Sequence, residues 1–259
     1  MRIFGVVNQK GGVGKSTLSV NTGYAGVEAG LRVLLVDFDS QGSMGISYPE
    51  TGEHEGRAST SSELFAENAE IIPERLSENL YIIRSDKTLS MLSGANTEGV
   101  RRPGRYLREL GKKYGFDLCI IDPPGVLGEN PPMTLATLIA ADAVVCPFSV
   151  GLYEGKSLAD LWAYLKGIKT NGYNPRLRLM GLLPSRVHTK SKEEMSALAG
   201  LRKAFGASIL PLMLGERTSV KQAIGRRKPV WRGVRGSGHA VAATEWRDAT
   251  TYILKNLGF

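Results

Sequence analysis

Short apolar runs recur along the chain, and stretches with the apolar spacing of helices lie between them. The runs without polar alternation are 1–8 (MRIFGVVN), 32–39 (RVLLVDFD), 80–84, 117–122 (DLCIID), 143–147 and 176–187 (RLRLMGLLPSRV). Such runs are typical of parallel strands that are buried on both faces. The stretches with helical spacing are 16–30, 101–115, 155–172, 191–206 and 244–259. This alternation predicts the α/β class, with a doubly wound, mostly parallel sheet flanked by helices.

Residues 47–62 (SYPETGEHEGRASTSS) break the alternation, because they are polar and have no apolar periodicity. We interpret them as a surface loop that is mobile or faces a partner. No internal repeat or flexible linker interrupts the chain, so we expect a single domain over residues 1–259. The first strand begins at residue 2, and we therefore expect no N-terminal helix-turn-helix domain.

The composition is that of a globular protein. Hydrophobic residues make up 42% of the 259 positions, which is enough for a sizeable core. No apolar run approaches the roughly 18 residues of a membrane span, and no secretory signal is recognisable, so we expect a cytosolic protein. Cys119 and Cys146 lie within apolar runs, and the three histidines are scattered. This spacing supports neither a disulfide framework nor a zinc site.

Charge is distributed unevenly between the two parts of the chain. Residues 1–150 contain 14 basic and 18 acidic side chains, whereas residues 151–259 contain 19 basic and 7 acidic ones, net charges of −4 and +12. A strongly basic half indicates a polyanionic partner, most often nucleic acid. The alternative is a basic face that is only solvated.

A glycine-rich segment, NQKGGVGKST (8–17), connects the first predicted strand to the first predicted helix. The strict phosphate-loop pattern G-x-x-x-x-G-K-[ST] requires glycine at position 9, where this chain has Gln9. The strand-loop-helix order still supplies inward backbone N–H groups, a helix N-terminus and a lysine, all of which bind phosphate. We expect the Ser16 hydroxyl to ligate Mg²⁺ and Thr17 to bond the α-phosphate or the loop. The residues predicted to bind a nucleotide are Gly11, Gly12, Val13, Gly14, Lys15, Ser16 and Thr17.

Three aspartates come at predicted strand ends, where open α/β sheets bind their ligands. Asp122 closes its strand and is predicted to hold the metal through water, as a Walker B-type aspartate does. A helix cap is its alternative role, although the two prolines that follow prevent a helix from starting directly. Asp37 and Asp39 lie two apart on one strand, so their side chains point the same way and both can face the phosphates. Their alternative role is to solvate the end of the strand.

Four segments together resemble a known family. KGGVGKST (10–17), VLLVDFDSQG (33–42), IIDPPG (120–125) and AADAVVCPFS (140–149), in this order and spacing, resemble the deviant Walker-box ATPases of the ParA/MinD superfamily. The later segments 181–194, 217–230 and 236–249 are similar to those of ParA-type partition ATPases. The resemblance covers nearly the whole chain and implies a P-loop fold that binds ATP or ADP with Mg²⁺.

The resemblance also implies roles for particular residues. Lys10 matches the signature lysine, which reaches across a nucleotide-sandwich homodimer to the phosphates of the other subunit, while Lys15 serves its own phosphates. Charge stabilisation would then depend on dimer assembly, as with an arginine finger supplied in trans. Asp39 corresponds to the aspartate that orients the attacking water, and Asp37 to the one nearer the metal. The resemblance implies Lys10, Lys15 and Asp39 as catalytic, and Ser16, Asp37 and Asp122 as metal-binding.

Further positions follow the family less closely. Asn21 matches a recurring asparagine that organises the phosphate region, and residues 123–125 (PPG) match a switch segment that senses the γ-phosphate. Ser40 stands where the family usually has proline, and serine does not restrict the backbone of that loop as proline does. Residues 209–219 (ILPLMLGERTS) diverge too far for adenine contacts to be assigned.

The basic half favours DNA as the partner. A cluster with few acids contains Arg202, Lys203, Arg217, Lys221, Arg226, Arg227, Lys228, Arg232 and Arg235. Such a surface would bind phosphate backbone without reading sequence. Trp231, the one aromatic residue of the segment 217–235, is expected to pack rather than stack on bases. The chain ends in TTYILKNLGF, interpreted as a core helix without the basic amphipathic extension of the MinD branch, so no membrane partner is expected.

The resemblance therefore implies an ATPase that partitions plasmid or chromosomal DNA. Its ATP-bound dimer would bind nucleoid DNA non-specifically, and a ParB-like centromere-binding adaptor would stimulate slow hydrolysis to ADP and phosphate. One alternative is a positioning ATPase for a non-DNA cargo, such as a microcompartment, chemoreceptor array or conjugation complex. A metal-chaperone or reductase-type ATPase is a second alternative, which the lack of a Cys/His cluster disfavours.

Overall fold

The structure, a computed structural model, describes residues 1–48, 57–93, 97–128, 131–151 and 154–259. Within these ranges the strands are β1 (Arg2–Val6), β2 (Val33–Asp37), β3 (Glu74–Ser77), β4 (Leu80–Ile83), β5 (Leu118–Asp122), β6 (Ala143–Phe148), β7 (Arg178–Val187) and β8 (Leu214–Gly215). They form one sheet in the order β3-β4-β2-β5-β1-β6-β7-β8. Among the strand pairs of the described residues, only β3–β4 is antiparallel.

Helices cover both faces of the sheet. They are α1 (Lys15–Glu28), α2 (Ser43–Ser47), α3 (Thr97–Tyr114), α4 (Met133–Ala140), α5 (Glu154–Thr170), α6 (Lys192–Phe205), α7 (Thr218–Gly225) and α8 (Ser237–Leu257). One core holds apolar side chains of α3, α4 and α5, such as Leu107 and Leu161. The other holds those of α1 and α8, such as Leu18 and Trp246. The doubly wound, mostly parallel sheet predicted from the apolar runs is confirmed.

The chain changes direction across the sheet at its centre. After β1 it proceeds to β2 on one side, and after β5 it proceeds to β6 on the other side. The loop after β1 therefore lies at a topological switch point, where the carboxyl ends of parallel strands leave a crevice for ligands. None of the helices in the described ranges is long and apolar enough to cross a membrane.

The structure adds elements that the apolar pattern did not predict. Helix α4 (MTLATLIA) is buried almost all round, so it has no polar face that would give it a helical period. Strand β3 (ERLS) is short and polar because it lies at the edge of the sheet. Helix α7 was missed, and α8 begins at Ser237 rather than at residue 244.

The predicted surface loop 47–62 is only partly described. Residues 49–56 lie outside the described ranges. At its end the prediction was wrong, because Thr60 forms a parallel bridge to Arg84 and a 3₁₀ helix begins at Ser61. The Thr60 side chain and Glu63 cap that helix reciprocally, an arrangement of local polar contacts that apolar periodicity does not register.

Candidate nucleotide site

The glycine-rich loop forms a tight turn between β1 and α1. Gly12 and Gly14 have φ angles of 73° and 92°, in the left-handed region that favours glycine. A Cβ on Gly14 would also lie 3.0 Å from the Ser185 hydroxyl. Among the residues that the structure describes, no side chain caps the first turn of α1, so its N–H groups are left for a ligand. Free N–H groups at a helix N-terminus bind phosphate well.

Lys15 lies beneath this loop with its side chain directed into the site. The residue is 8% exposed, and Nζ donates to the backbone oxygen of Lys10 at 3.1 Å. Burial lowers the pKa of Lys15, and the nearby carboxylates of Asp122 and Asp39 oppose this shift. An ammonium group held in such a low-dielectric position is suited to neutralise a phosphate.

Asp122 ends β5 in a fully buried position. Its Oδ1 accepts a hydrogen bond from the Ser19 hydroxyl at 3.1 Å, while Oδ2 is buried and has no hydrogen-bond partner among the described residues. Burial raises the pKa of Asp122 to about 6, and the neighbouring Ser16 and Lys15 oppose the rise. A buried carboxylate oxygen without a partner, beside a serine hydroxyl, fits the all-oxygen ligand set of Mg²⁺.

Asp37 lies opposite Asp122 in the register of β2 and β5. Its two oxygens accept backbone hydrogen bonds, Oδ2 from Gly45 at 2.8 Å and Oδ1 from Asp39 at 3.2 Å. Burial, followed by the charge of Asp122, raises the pKa of Asp37 to about 7. The carboxylate thus holds the start of α2 to the end of β2, and its role as a metal ligand stays a prediction.

Asp39 and Gly125 face the same opening from the loops that follow β2 and β5. Asp39 lines the cavity beside Ser43, and its Oδ1 accepts from the Gln41 backbone at 3.0 Å. A Cβ on Gly125 would lie 3.1 Å from Lys15 Nζ and 3.4 Å from the Gly11 backbone nitrogen. The segment after Asp122 therefore passes directly against the phosphate loop, and a side chain at position 125 would be tightly packed against it.

Lys10 lies at the outer lip of the loop and is paired within its own chain. Its Nζ is 2.9 Å from Oε1 of Glu154, a residue that is 8% exposed at the start of α5. The Asn8 side chain accepts from the Lys10 backbone at 2.9 Å and donates to the Pro147 oxygen at 2.7 Å. Asn8 thus connects the backbone of the loop at Lys10 to the end of β6.

Beside the phosphate loop is a cavity of about 400 Å³ whose far wall is apolar. That wall consists of Leu214, Val220, Ile224 and Trp246. The unassigned segment 209–219 thus supplies part of it, and a flat heterocycle fits such a wall. The indole Nε1 of Trp246 is buried and has no hydrogen-bond partner in the part of the chain that the structure describes.

Arg186, at the end of β7, is a site residue that sequence reasoning missed. Its φ of 55° is unusual for a residue other than glycine, and the position lines the cavity. Its Nη1 donates to the Gly12 backbone oxygen, and its Nε is 2.6 Å from Glu216. Arg186, followed by Lys221, lowers the pKa of Glu216 to about 2. Its position in the segment PSRV, at the carboxyl end of a strand, was the available signal.

Asn21 contacts both the end of the phosphate loop and a segment that the sequence did not indicate. Its Nδ2 donates to the Thr17 backbone oxygen at 2.9 Å, and its Oδ1 accepts from the Val230 backbone at 3.0 Å. The Tyr24 hydroxyl donates to the Arg227 backbone oxygen at 2.9 Å. Helix α1 thereby holds the basic segment 226–230 to the back of the phosphate loop.

The basic residues predicted to bind DNA divide into two groups. Arg217, Lys221 and Arg232 are paired, with Glu245 at 2.5 Å, Glu216 at 2.9 Å and Glu28 at 2.7 Å. Arg217 and Lys221 also line the nucleotide cavity, and half-buried Arg202 donates to the Leu212 oxygen at 3.3 Å. The exposed ones without an ion pair in the described ranges are Lys203, Arg226, Arg227, Lys228 and Arg235.

Comparison with known proteins decides the family. A family model described as an AAA domain matches residues 1–179. The chromosome-partitioning ATPase Soj of Thermus thermophilus is 31% identical over 243 residues, which cover 90% of this chain and 91% of Soj. The chain belongs to the ParA/MinD superfamily of partition ATPases. The resemblance found in the loop and strand segments is confirmed.

Solved structures show the ParA-type fold at lower identity. Apo McdA from Cyanothece has a TM-score of 0.79 at 22% identity, over 98% of this chain and 99% of McdA. A putative plasmid partition protein from Borrelia burgdorferi, bound to AMPPNP, has a TM-score of 0.77 at 21% identity, over 98% and 99% of the two chains. At such identities the likeness shows the fold alone.

Proposed function

We propose that this protein is an ATP-dependent DNA partition ATPase. ATP and Mg²⁺ drive a sandwich homodimer, the dimer binds nucleoid DNA without sequence preference, and hydrolysis releases it. The observation that carries the proposal is the pairing of a complete phosphate site with Lys10 at its outer lip. Membership of the partition ATPase family supports it, as does the AMPPNP bound by the Borrelia protein.

Hydrolysis is assigned to residues at the carboxyl edge. A water molecule attacks the γ-phosphorus, the bond from that phosphorus to the β–γ bridging oxygen breaks, and ADP and phosphate leave. Asp39, on the cavity wall, orients this water. Lys15 neutralises its own phosphates, and Ser16 and Asp122 hold Mg²⁺, which supplies positive charge to the phosphate oxygens.

Lys10 couples this chemistry to assembly. In the structure its ammonium is paired with Glu154 of the same chain, and its side chain is 38% exposed. A second subunit stacked on the same face presents phosphates that compete with Glu154 for this ammonium. Because phosphates carry more charge than one carboxylate, the exchange favours the nucleotide-bound dimer.

The DNA surface is assigned to the exposed part of the predicted basic cluster. Arg226, Arg227 and Lys228 have no ion pair among the described residues, and α1 connects them to the phosphate loop through Asn21 and Tyr24. Cations of this kind bind the phosphate backbone, so affinity falls steeply as salt rises. A ParB-like adaptor on the cargo stimulates slow hydrolysis, and the cargo follows the gradient of bound dimer.

The proposal is tested by co-sedimentation with DNA in ATP, in ADP and without nucleotide, over a salt series. We expect ATP to raise the affinity for DNA at least about tenfold, because a dimer contacts DNA at two linked sites. Lys10→Ala should lose this increase, Asp39→Ala should keep it while losing hydrolysis, and Arg227→Ala should weaken binding. Equal affinity in all three nucleotide conditions, or a fully active Lys10→Ala, would contradict the proposal.

The adaptor is tested by steady-state hydrolysis. A centromere-binding protein from the same operon should raise the rate of the wild-type protein and leave Asp39→Ala inactive. No stimulation by that protein, with or without DNA, would exclude it as the adaptor and favour a non-DNA cargo.

A further inference from the structure

A wide basic groove lies at the edge of the sheet opposite the nucleotide cavity. It has a volume of about 1130 Å³, and its floor contains Arg2 and Arg178, the first residues of β1 and β7. One wall is α3, and the other includes Arg176 and the end of α8 with Lys255. Eight basic and three acidic side chains line it. None of these positions belongs to the basic cluster 202–235.

Most of these cations form no salt bridge with any residue that the structure describes. Arg105 pairs with Glu98 at 2.5 Å, and Arg108 pairs with Asp142 at 2.7 Å. The six that are exposed and have no ion pair within the described residues are Arg2, Arg101, Lys112, Arg176, Arg178 and Lys255. Like charges gathered without partners repel one another, and a polyanion relieves that repulsion.

We propose that this groove binds the phosphate backbone of duplex DNA, as a second contact separate from the cluster 202–235. The spacing of cations along α3 fits an extended ligand: Arg101 and Lys112 are about 16 Å apart along the helix axis, at about 1.5 Å per residue. Arg176 and Arg178 lie on the other side, so positive charges line both sides of the groove. A small anion would contact only one end of such a groove.

The lining also favours duplex over single-stranded nucleic acid. Its apolar side chains are aliphatic, such as Ile139 and Leu257, and no aromatic residue is among the described positions that form it. Proteins that hold single strands stack bases on aromatic side chains, whereas duplex backbone needs only cations. The groove is thus suited to binding without reading sequence.

Its position makes this contact independent of the nucleotide. The proposed dimer forms through the carboxyl edge of the sheet, and the groove lies at the amino edge, so it stays open in either state. A monomer with ADP then retains weak DNA binding, and a dimer presents two such grooves on its outer ends. The increase in DNA affinity that ATP causes tests the proposed function. It is measured separately from the DNA affinity in ADP, which tests the groove.

The test is fluorescence anisotropy with a labelled duplex of mixed sequence, in ADP, over a salt series. Arg101→Glu/Lys112→Glu changes one wall, and Arg176→Glu/Arg178→Glu changes the other. The matched control, Lys87→Glu/Lys166→Glu, carries the same charge change at exposed lysines outside the groove. We expect each groove pair to weaken binding at least about tenfold and to reduce the slope of log K against log salt by about two.

Each other outcome counts against the groove. If the control weakens binding as much as the groove pairs, only net charge matters. If single-stranded DNA, RNA or polyglutamate displaces the duplex at lower concentration than unlabelled duplex does, the partner is not duplex DNA. Thermal unfolding checks that all variants fold, and Arg176→Gln/Arg178→Gln repeats the test without charge reversal. Loss of the ATP-dependent increase alone would count against the proposed function and not against the groove.

Discussion

The two edges of the central sheet carry charge in opposite ways. At the carboxyl edge, Lys15, Asp37 and Asp122 are buried and held by hydrogen bonds to neighbouring groups. At the amino edge, Arg101 and Lys112 are exposed and unpaired within the described ranges. Burial fixes charges where a transition state needs them and magnifies their effect, whereas exposed cations bind a polyanion additively and with strong salt dependence.

This contrast sets the expected size of each perturbation. A change at the carboxyl edge leaves a buried group without its counterpart, which costs more than the lost contact itself. A change at the amino edge removes one solvated charge among several. Within the carboxyl edge, the expected effect falls from Lys15, which is buried, to the ion pair of Lys10 and Glu154, in which the Lys10 side chain is 38% exposed.

Lys15→Ala should have the largest effect. It removes the buried ammonium between Asp122 and Asp39 and should lower ATP affinity by about 10- to 100-fold, the range for a hydrogen bond to a charged group. Isothermal titration with a non-hydrolysable analogue measures this. Lys166→Ala, an exposed lysine on α5, is the matched control. Unchanged affinity in Lys15→Ala would mean that the phosphates bind elsewhere.

Asp122→Asn should separate metal binding from stability. Without nucleotide near pH 8 it should stabilise the protein by roughly 1–3 kcal/mol, since it removes a buried charge whose pKa is raised to about 6. It should also abolish the thermal shift that Mg²⁺ adds in the presence of ATP. A stabilised variant that keeps the full Mg²⁺ shift would exclude Asp122 as a metal-binding residue.

The raised pKa values of Asp122 and Asp37 also predict a pH dependence. The folded protein holds these protons more tightly than the unfolded chain, so their contribution to stability is complete below about pH 4. It is lost as pH rises through about 6 for Asp122 and about 7 for Asp37. Mg²⁺ requires the deprotonated carboxylate, so its affinity should rise over the same interval. Thermal unfolding with and without Mg²⁺–ATP measures both trends. If the stabilisation by Mg²⁺–ATP falls with rising pH, as the stability of the free protein does, these carboxylates do not bind the metal.

Arg186→Ala and Arg186→Gly should have an intermediate effect. Both lose the bond to the Gly12 oxygen, and we expect nucleotide affinity to fall severalfold, as for one lost hydrogen bond. Glycine adopts the φ of 55° without strain, so the Gly variant should unfold at a higher temperature than the Ala variant. Equal melting temperatures would argue against backbone strain at this position.

Glu154→Gln should have the smallest effect and the opposite sign. It weakens the pairing that holds Lys10 in its own chain, so less ATP should be needed for the dimer, by severalfold, the size of a partly exposed ion pair. Analytical ultracentrifugation over an ATP series measures the midpoint. A higher midpoint would mean that Glu154 positions Lys10 for the dimer instead of competing with it.

Apolar patterns in the sequence predicted the elements that are buried in the core, chiefly the central strands. The strands that end in Asp37 and Asp122 were evident because each is apolar throughout, and the phosphate loop was evident from its glycines. Arg186 was missed because its role depends on β7 ending beside Gly12, a contact between residues 174 positions apart. Asn21 was placed in the right helix, but its contact with Val230 was missed because it joins residues 209 positions apart.

The mass of the protein in solution with ATP, measured by light scattering after size exclusion, tests directly whether Lys10 couples ATP to assembly. Asp39→Ala, which lacks the carboxylate that orients the attacking water, should have twice the 28.0 kDa mass of the chain with ATP and Mg²⁺, and the single mass with ADP. Asp39→Ala/Lys10→Ala should keep the single mass in both. A double variant that still doubles its mass, or a wild-type dimer without nucleotide, would contradict the claim that Lys10 couples ATP to assembly.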